Sequence, residues 1–124
     1  MTEQQLATLV DRFYAKVRTD SVLGPVFNAA VHDWPEHLER LSGFWSSVML
    51  TTGRYKGNPM AVHMKQKSVI EPSMFGRWLE LWRETARETV DERGATAVTA
   101  KAERIAESLQ LGMFFTLPPK GTAA

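Results

Sequence analysis

Apolar side chains recur at intervals of three and four through most of this chain, and polar residues interrupt them at a few marked points. The first stripe is Leu6, Leu9, Val10, Phe13, Tyr14 and Val17, the spacing of one helix face. Thr2 and Gln5 form a capping-box pair that sets the start near residue 3. Arg18 in the last turn suits the helix dipole, and Thr19-Asp20-Ser21 breaks the helix. A short piece punctuated by Gly24-Pro25 follows. Val26-Phe27 re-enter the core, and Asn28 to His32 read as a connecting corner.

Asp33-Trp34-Pro35-Glu36 is a strong helix start: Asp33 can cap, Pro35 fits the first turn and Glu36 is acidic where the dipole favours it. Leu38, Leu41, Trp45 and Val48 form one stripe from here, and His37, Leu41, Phe44 and Val48 an overlapping one. Gly53 is expected to end this helix. Asn58-Pro59 starts a short one carrying Met60, His63 and Met64, after which residues 65–71 are polar and irregular except for Val69-Ile70. Pro72 opens a helix bearing Met74, Phe75, Trp78, Leu79, Leu81, Trp82, Thr85 and Val90, apolar over more than half its circumference and hence central. Glu92-Arg93-Gly94 is expected to terminate it, with Thr96 capping a last helix whose inner face is Val98, Ala102, Ile105, Leu109 and Gly112/Met113. No segment alternates with a period of two, so the chain reads as all-α: one domain over residues 1–116 and a disordered tail over 117–124.

Composition narrows the class. With no cysteine there are no disulfides, thiolate metal sites or cysteine nucleophiles. A formal net charge of +1 without a basic block argues against nucleic acid. The N-terminus lacks the pattern of a signal peptide and no apolar run is long enough to span a membrane, so a cytoplasmic protein is expected. Four Trp, six Phe and six Met can fill a core or line a cavity for a large planar ligand.

Candidate chemistry centres on few residues. The three histidines do not have the HExxH spacing of a zinc protease, and the paired Glu-x-x-His of a di-iron bundle is missing. His37 lies one turn into a helix beside apolar neighbours, a place more often held by a structural histidine than a functional one. His63, between Val62 and Met64, wants a carbonyl or a metal for its ring. His32 sits in a corner and is expected to be solvated. Tyr14 and Trp78 fit a core, yet each carries a polar tip that needs a partner when buried. If both tips share a pocket with His37, they form a donor cluster suited to a ligand that gains partial negative charge.

Taken in order, these pieces resemble the truncated haemoglobins of group III. The resemblance rests on Phe13-Tyr14, Leu23-Gly24-Pro25-Val26-Phe27, Trp34, His37, and Phe44-Trp45 seven and eight residues after it. It continues with Tyr55-Lys-Gly57-Asn-Pro59 four residues before His63, and with Trp78 fifteen after it. It covers roughly Leu6 to Met113 and implies a two-over-two helical sandwich around haem b in a bacterial, monomeric globin. His63 would be the iron ligand. Tyr14, His37 and Trp78 would form the distal pocket, and Phe27, Phe44, Tyr55, Met60, Met64, Ile70 and Trp78 would contact the cofactor. Arg54, Tyr55, Lys56 and Lys65 are candidates for the haem carboxylates. The implied function is reversible binding of dioxygen, carbon monoxide, nitric oxide or cyanide. An alternative is nitric oxide detoxification or peroxidase-like turnover with an external reductase. Against both stands a cofactor-free helical module whose aromatic stripes are only core.

Overall fold

The chain forms helices wherever the three-and-four pattern runs, and the computed structural model describes residues 1–114. Among these are α1 (Glu3–Thr19), α2 (Leu23–Ala30), α3 (Trp34–Leu50), α4 (Pro59–Met64), α5 (Pro72–Thr89) and α6 (Glu92–Phe114), with no strand. The tail expected over 117–124 lies outside the described residues. α1 packs against α3, α5 packs against α6, and α1 crosses onto α5, which gives the two-over-two sandwich; α2 and α4 are short pieces at its rim.

α1 starts with the capping box: Thr2 Oγ1 accepts from Gln5 N at 3.1 Å, and Gln5 Oε1 from Thr2 N at 2.9 Å. Its buried face is Leu6, Leu9, Val10, Phe13, Tyr14 and Val17. Phe13 is the hub. It meets Tyr14, Trp78 and Trp82 edge-on, at centroid distances of 4.7, 5.6 and 4.9 Å.

Three expected boundaries move. α2 runs on through Asn28 to Ala30 instead of turning at a corner. Asn28 is tied by its side-chain amide, which donates to the Arg18 carbonyl at 3.1 Å, and Pro25 sits in the first turn, where a missing N–H costs nothing. Gly24 is required there: a Cβ would come within 2.9 Å of the Arg18 carbonyl oxygen. α3 ends at Leu50, and Thr51, not Gly53, takes the left-handed turn at φ 55°. The following loop is pinned early: Ser46 Oγ lies 2.8 Å from Thr52 Oγ1, and Tyr55 N donates to Ser47 Oγ at 2.9 Å. Finally, Glu92-Arg93-Gly94 opens α6 rather than closing α5. Asp91 Oδ1 accepts from Gly94 N at 2.7 Å, so Asp91 is the cap and Thr96 lies inside the helix.

Asp20 joins three elements at one end of the sandwich. Its Oδ2 accepts from Val22 N and Leu23 N, and its Oδ1 takes two bonds from Arg77 of α5 at 2.8 and 2.7 Å. The Arg77 guanidinium, then the Leu23 N–H, hold the Asp20 carboxyl below the usual carboxylate range. At the other end, Glu3 accepts from Ser46 at 2.7 Å and from Arg54 at 2.7 Å, which fastens the 51–58 loop to the start of α1. α4 is the least anchored helix. It buries no residue, and it docks on α6 through Met60, whose side chain lies where a Cβ on Gly112 would stand.

Candidate functional site

The sandwich leaves an apolar cavity between α3 and α4, walled by α2 on one flank and by α5 and α6 behind. α4 presents one face to it, Pro59, Val62 and His63 at the spacing i, i+3 and i+4, and Gln66 of the following turn continues that lining. His63 Nδ1 lies 2.7 Å from the Pro59 carbonyl oxygen. The carbonyl can only accept, so the Nδ1 proton is held there and Nε2 is left as the donor atom for a ligand.

Across the cavity stand Tyr14 of α1, His37 of α3 and Trp78 of α5. The imidazole of His37 meets Tyr14 edge-on at 5.9 Å between centroids and Trp34 edge-on at 5.5 Å. Arg18 sits over the Trp34 ring, 4.6 Å from its centroid. Tyr14 is 4 % exposed. Burial pushes its hydroxyl well above the ordinary phenol range, while the Trp78 indole N–H beside it pulls the other way. Burial also lowers the His37 pKa, with the charges of Arg40 and His63 adding to it. His37 Nε2 is the one buried side-chain polar atom without a hydrogen-bond partner among the described residues. A buried imidazole nitrogen left unpaired costs free energy unless something in the cavity uses it. The arrangement is one lone-pair nitrogen on one wall, neutral hydrogen-bonding groups on the other, and an apolar space between.

Of the residues singled out from the sequence, the structure brings Tyr14, Phe27, His37, Phe44, Tyr55, His63, Ile70 and Trp78 to this cavity. Met60 and Met64 do not line it. They share a different face of α4, four residues apart; Met60 packs toward Phe75, Ala106, Leu109 and Met113, and Met64 faces outward. Of the Val69-Ile70 pair, Ile70 faces the cavity and Val69 is exposed. His32 is exposed, as expected. Arg54 is committed to Glu3, and Lys65 lines neither the cavity nor the hollow beside it. Tyr55 reaches the cavity by lying edge-on to Phe44 at 5.2 Å and folding over Gly57, where a side chain would collide with its ring. Arg40 was not singled out. It lies one turn beyond His37, lines the cavity mouth and the adjoining hollow, and pairs with Glu36 at 2.8 Å. Only its spacing from His37 signals it in the sequence, and that spacing suits any solvated helix arginine.

Among the described residues no three His, Cys, Asp or Glu side chains gather to hold a bare metal ion, and no helix is long and apolar enough to cross a membrane. No family model matches the chain. It is 31% identical over 114 residues to the protein described as group 3 truncated hemoglobin ctb from Campylobacter jejuni, with 89% of each chain covered. The crystal structure of the group III truncated hemoglobin from Campylobacter jejuni superposes with a TM-score of 0.85, at 29% identity over 93% of each chain. With its all-helical sandwich and a likeness that runs through nearly its whole length, the chain belongs to the group III truncated haemoglobins, globins that bind haem.

Proposed function

We propose that this chain holds haem b through His63 Nε2 and reversibly binds dioxygen, carbon monoxide, nitric oxide or cyanide on the side of Tyr14, His37 and Trp78. The observation that carries the reading is the presence of two imidazoles, from α3 and α4, on one apolar cavity. His63 has its Nδ1 engaged by Pro59 and its other nitrogen available, while His37 Nε2 is buried and unpartnered. Phe27, Phe44, Tyr55, Ile70 and Trp78 would flank the macrocycle. Lys56, and Arg40 once released from its exposed pair with Glu36, would take its carboxylates at the mouth.

Haem, when bound, would supply an iron that takes a small ligand. The protein's part is to set what surrounds that ligand. The Tyr14 O–H and Trp78 N–H donate to an atom that gains negative charge. Each such bond contributes about 1.5–3 kcal/mol in a dry pocket. Two would slow release by about two to four orders of magnitude, since about 1.4 kcal/mol is tenfold. Slow release suits sensing or ligand chemistry better than delivery.

The second reading is turnover: nitric oxide oxidation or peroxide reduction, with Tyr14 and His37 as proton donors and electrons from a separate reductase. The His37–Tyr14 contact favours it. The pKa directions weigh against it: burial holds His37 neutral and Tyr14 protonated near neutral pH, so both serve better as hydrogen-bond partners than as acids. The proposed setting is the bacterial cytoplasm, with the protein as a monomer.

Visible spectra of the purified protein, oxidised, reduced, and reduced with carbon monoxide, test the reading. A Soret band that shifts with carbon monoxide and is lost or altered in His63→Ala supports it. No Soret band, even after hemin is added, overturns it. Steady-state turnover with a reducing partner separates the second reading from simple binding.

A further inference from the structure

Charge is unevenly spread along this chain. Between Glu39 and Glu71 there is no acidic residue, and there are five basic ones: Arg40, Arg54, Lys56, Lys65 and Lys67. The rest of the chain has ten basic and fourteen acidic residues, so the net charge of +1 conceals a basic middle within an acidic remainder. Arg40 is paired with Glu36 and Arg54 with Glu3, and Lys56 stands at the cavity mouth. Lys65 and Lys67 are exposed and form no ion pair among the described residues. They flank uncovered apolar surface. Met64 and Val69 are 41% and 48% exposed, and Leu111, 57% exposed, precedes the Gly112 against which Met60 packs. One exposed apolar side chain standing alone is ordinary; several together, rimmed by charge, mark an interaction site. α4 turns Pro59, Val62 and His63 toward the cavity, so Met64 and Lys65 stand on its outer side.

We propose that this outer face, Met64, Lys65, Lys67 and Val69 with Leu111 beside them, docks a protein whose own face is acidic around an apolar centre. The inference goes beyond the haem reading and does not rest on it. An apolar centre with a charged rim is the anatomy of a protein interface, and the rim lysines would steer an acidic partner onto it. A second copy of this chain is a poor match, because its exposed acids along α5 and α6 are largely spent. Glu80 is paired with Arg77, Glu84 and Glu88 with Lys16, and Glu103 with Arg83. Nucleic acid is a poor match too, since no exposed aromatic ring stands beside the lysines for a base to stack on. A bilayer surface is disfavoured because α4 is six residues long and exposes no Trp or Phe to enter it. A protein seated there braces the helix that carries His63, and so ties docking to the state of the cavity.

The test is a nuclear magnetic resonance titration of the isotope-labelled full chain, reduced under carbon monoxide so that any haem is diamagnetic. The probe is oxidised flavodoxin, an acidic protein, with lysozyme as a basic control. The expected result is movement of the amide signals of residues 61–69 and of Leu111 with flavodoxin and not with lysozyme, and slower amide exchange over 59–70 in the complex. Raising salt from about 20 mM to about 300 mM should weaken binding by about tenfold or more, since rim charges are screened. Charge reversal at both Lys65→Glu and Lys67→Glu should abolish the shifts, while Lys101→Glu, on α6, leaves them. No shifts, shifts spread over other faces, or shifts indifferent to salt would overturn the proposal. So would signals that move only with anionic phospholipid vesicles, or only with the concentration of the chain itself, which would assign the face to a membrane or to a second copy. The salt series needs no substitution, so it decides the matter even where the charge-reversed variant fails to fold. A protein without a Soret band removes the haem reading and leaves this one to the titration.

Discussion

The imidazole of His63 is fixed by the carbonyl of Pro59, one helical turn earlier, at 2.7 Å from Nδ1. The carbonyl accepts the Nδ1 proton and so sets the tautomer and direction of the ring. His63→Gly is therefore expected to lose the axial histidine signature in the visible spectrum. Added imidazole should restore it, because the variant keeps the apolar space and loses only the nitrogen. An axial histidine signature unchanged in His63→Gly would show that His63 is not the ligand.

On the opposite wall, Tyr14→Phe and Trp78→Phe each remove one donor and keep the ring. Dioxygen dissociation should speed by about tenfold or more in each, from the worth of one charge-assisted bond. Stopped-flow displacement of dioxygen by carbon monoxide reads this directly. Unchanged off-rates in both would dismiss the distal assignment.

His37 stands edge-on between Tyr14 and Trp34, near the N-terminal end of α3. If it swings between cavity and solvent to admit ligands, His37→Ala should change the association rate more than the dissociation rate. Flash photolysis of the carbon monoxide complex measures the first, and an unaltered association rate rules out the gate.

Two groups tie stability to pH, both on the acid side but in separate ranges. The folded-state pKa of His37 lies below the unfolded value of about 6.5. Its unfolded form therefore takes up the proton first, and the apoprotein should lose stability as pH falls from neutrality through that range. Asp20 is also depressed when folded, from a carboxylate value of about 3.9, so its contribution persists above that and is lost only in stronger acid. Urea denaturation across pH should show the first loss flattened in His37→Leu and the second flattened in Asp20→Asn.

Phe13 touches three other aromatic rings and is fully buried. Phe13→Ala should cost about 3–5 kcal/mol, measurable as a drop in the urea midpoint. It should also loosen Tyr14 and Trp78 and so perturb ligand release, although it touches no ligand.

The helices were legible wherever side chain and backbone agreed locally, as at Thr2–Gln5, Asp33 and Asn58. The errors came where a side-chain hydrogen bond a few residues away overruled the propensity of a single glycine. Gly53 looked like the end of α3, but bonds from Ser46 and Ser47 pull the chain round at Thr51. Gly94 looked like a terminator, yet Asp91 caps the next helix across it. The site was legible mainly as a family likeness. Periodicity alone puts Tyr14, His37 and Trp78 on the inner faces of three helices and does not say that those faces meet at one cavity. Met60 and Met64 do not line the cavity, because proximity to His63 along the chain is not a shared face. In a helix of six residues, Pro59, Val62 and His63 turn one way and the two methionines another.

That small helix has one further consequence. The proposed iron ligand is carried by the one helix in the described chain that buries no residue. Its tertiary hold is modest, so cofactor occupancy becomes the main restraint on the whole 59–70 stretch. Departure of haem and opening of this stretch are then a single equilibrium governed by mass action. Amide protons there should exchange quickly in the apoprotein and become protected in proportion to the haem supplied, while those of α1 and α5 hardly change. The least stable piece of the molecule would thus report how much cofactor the cell has to offer.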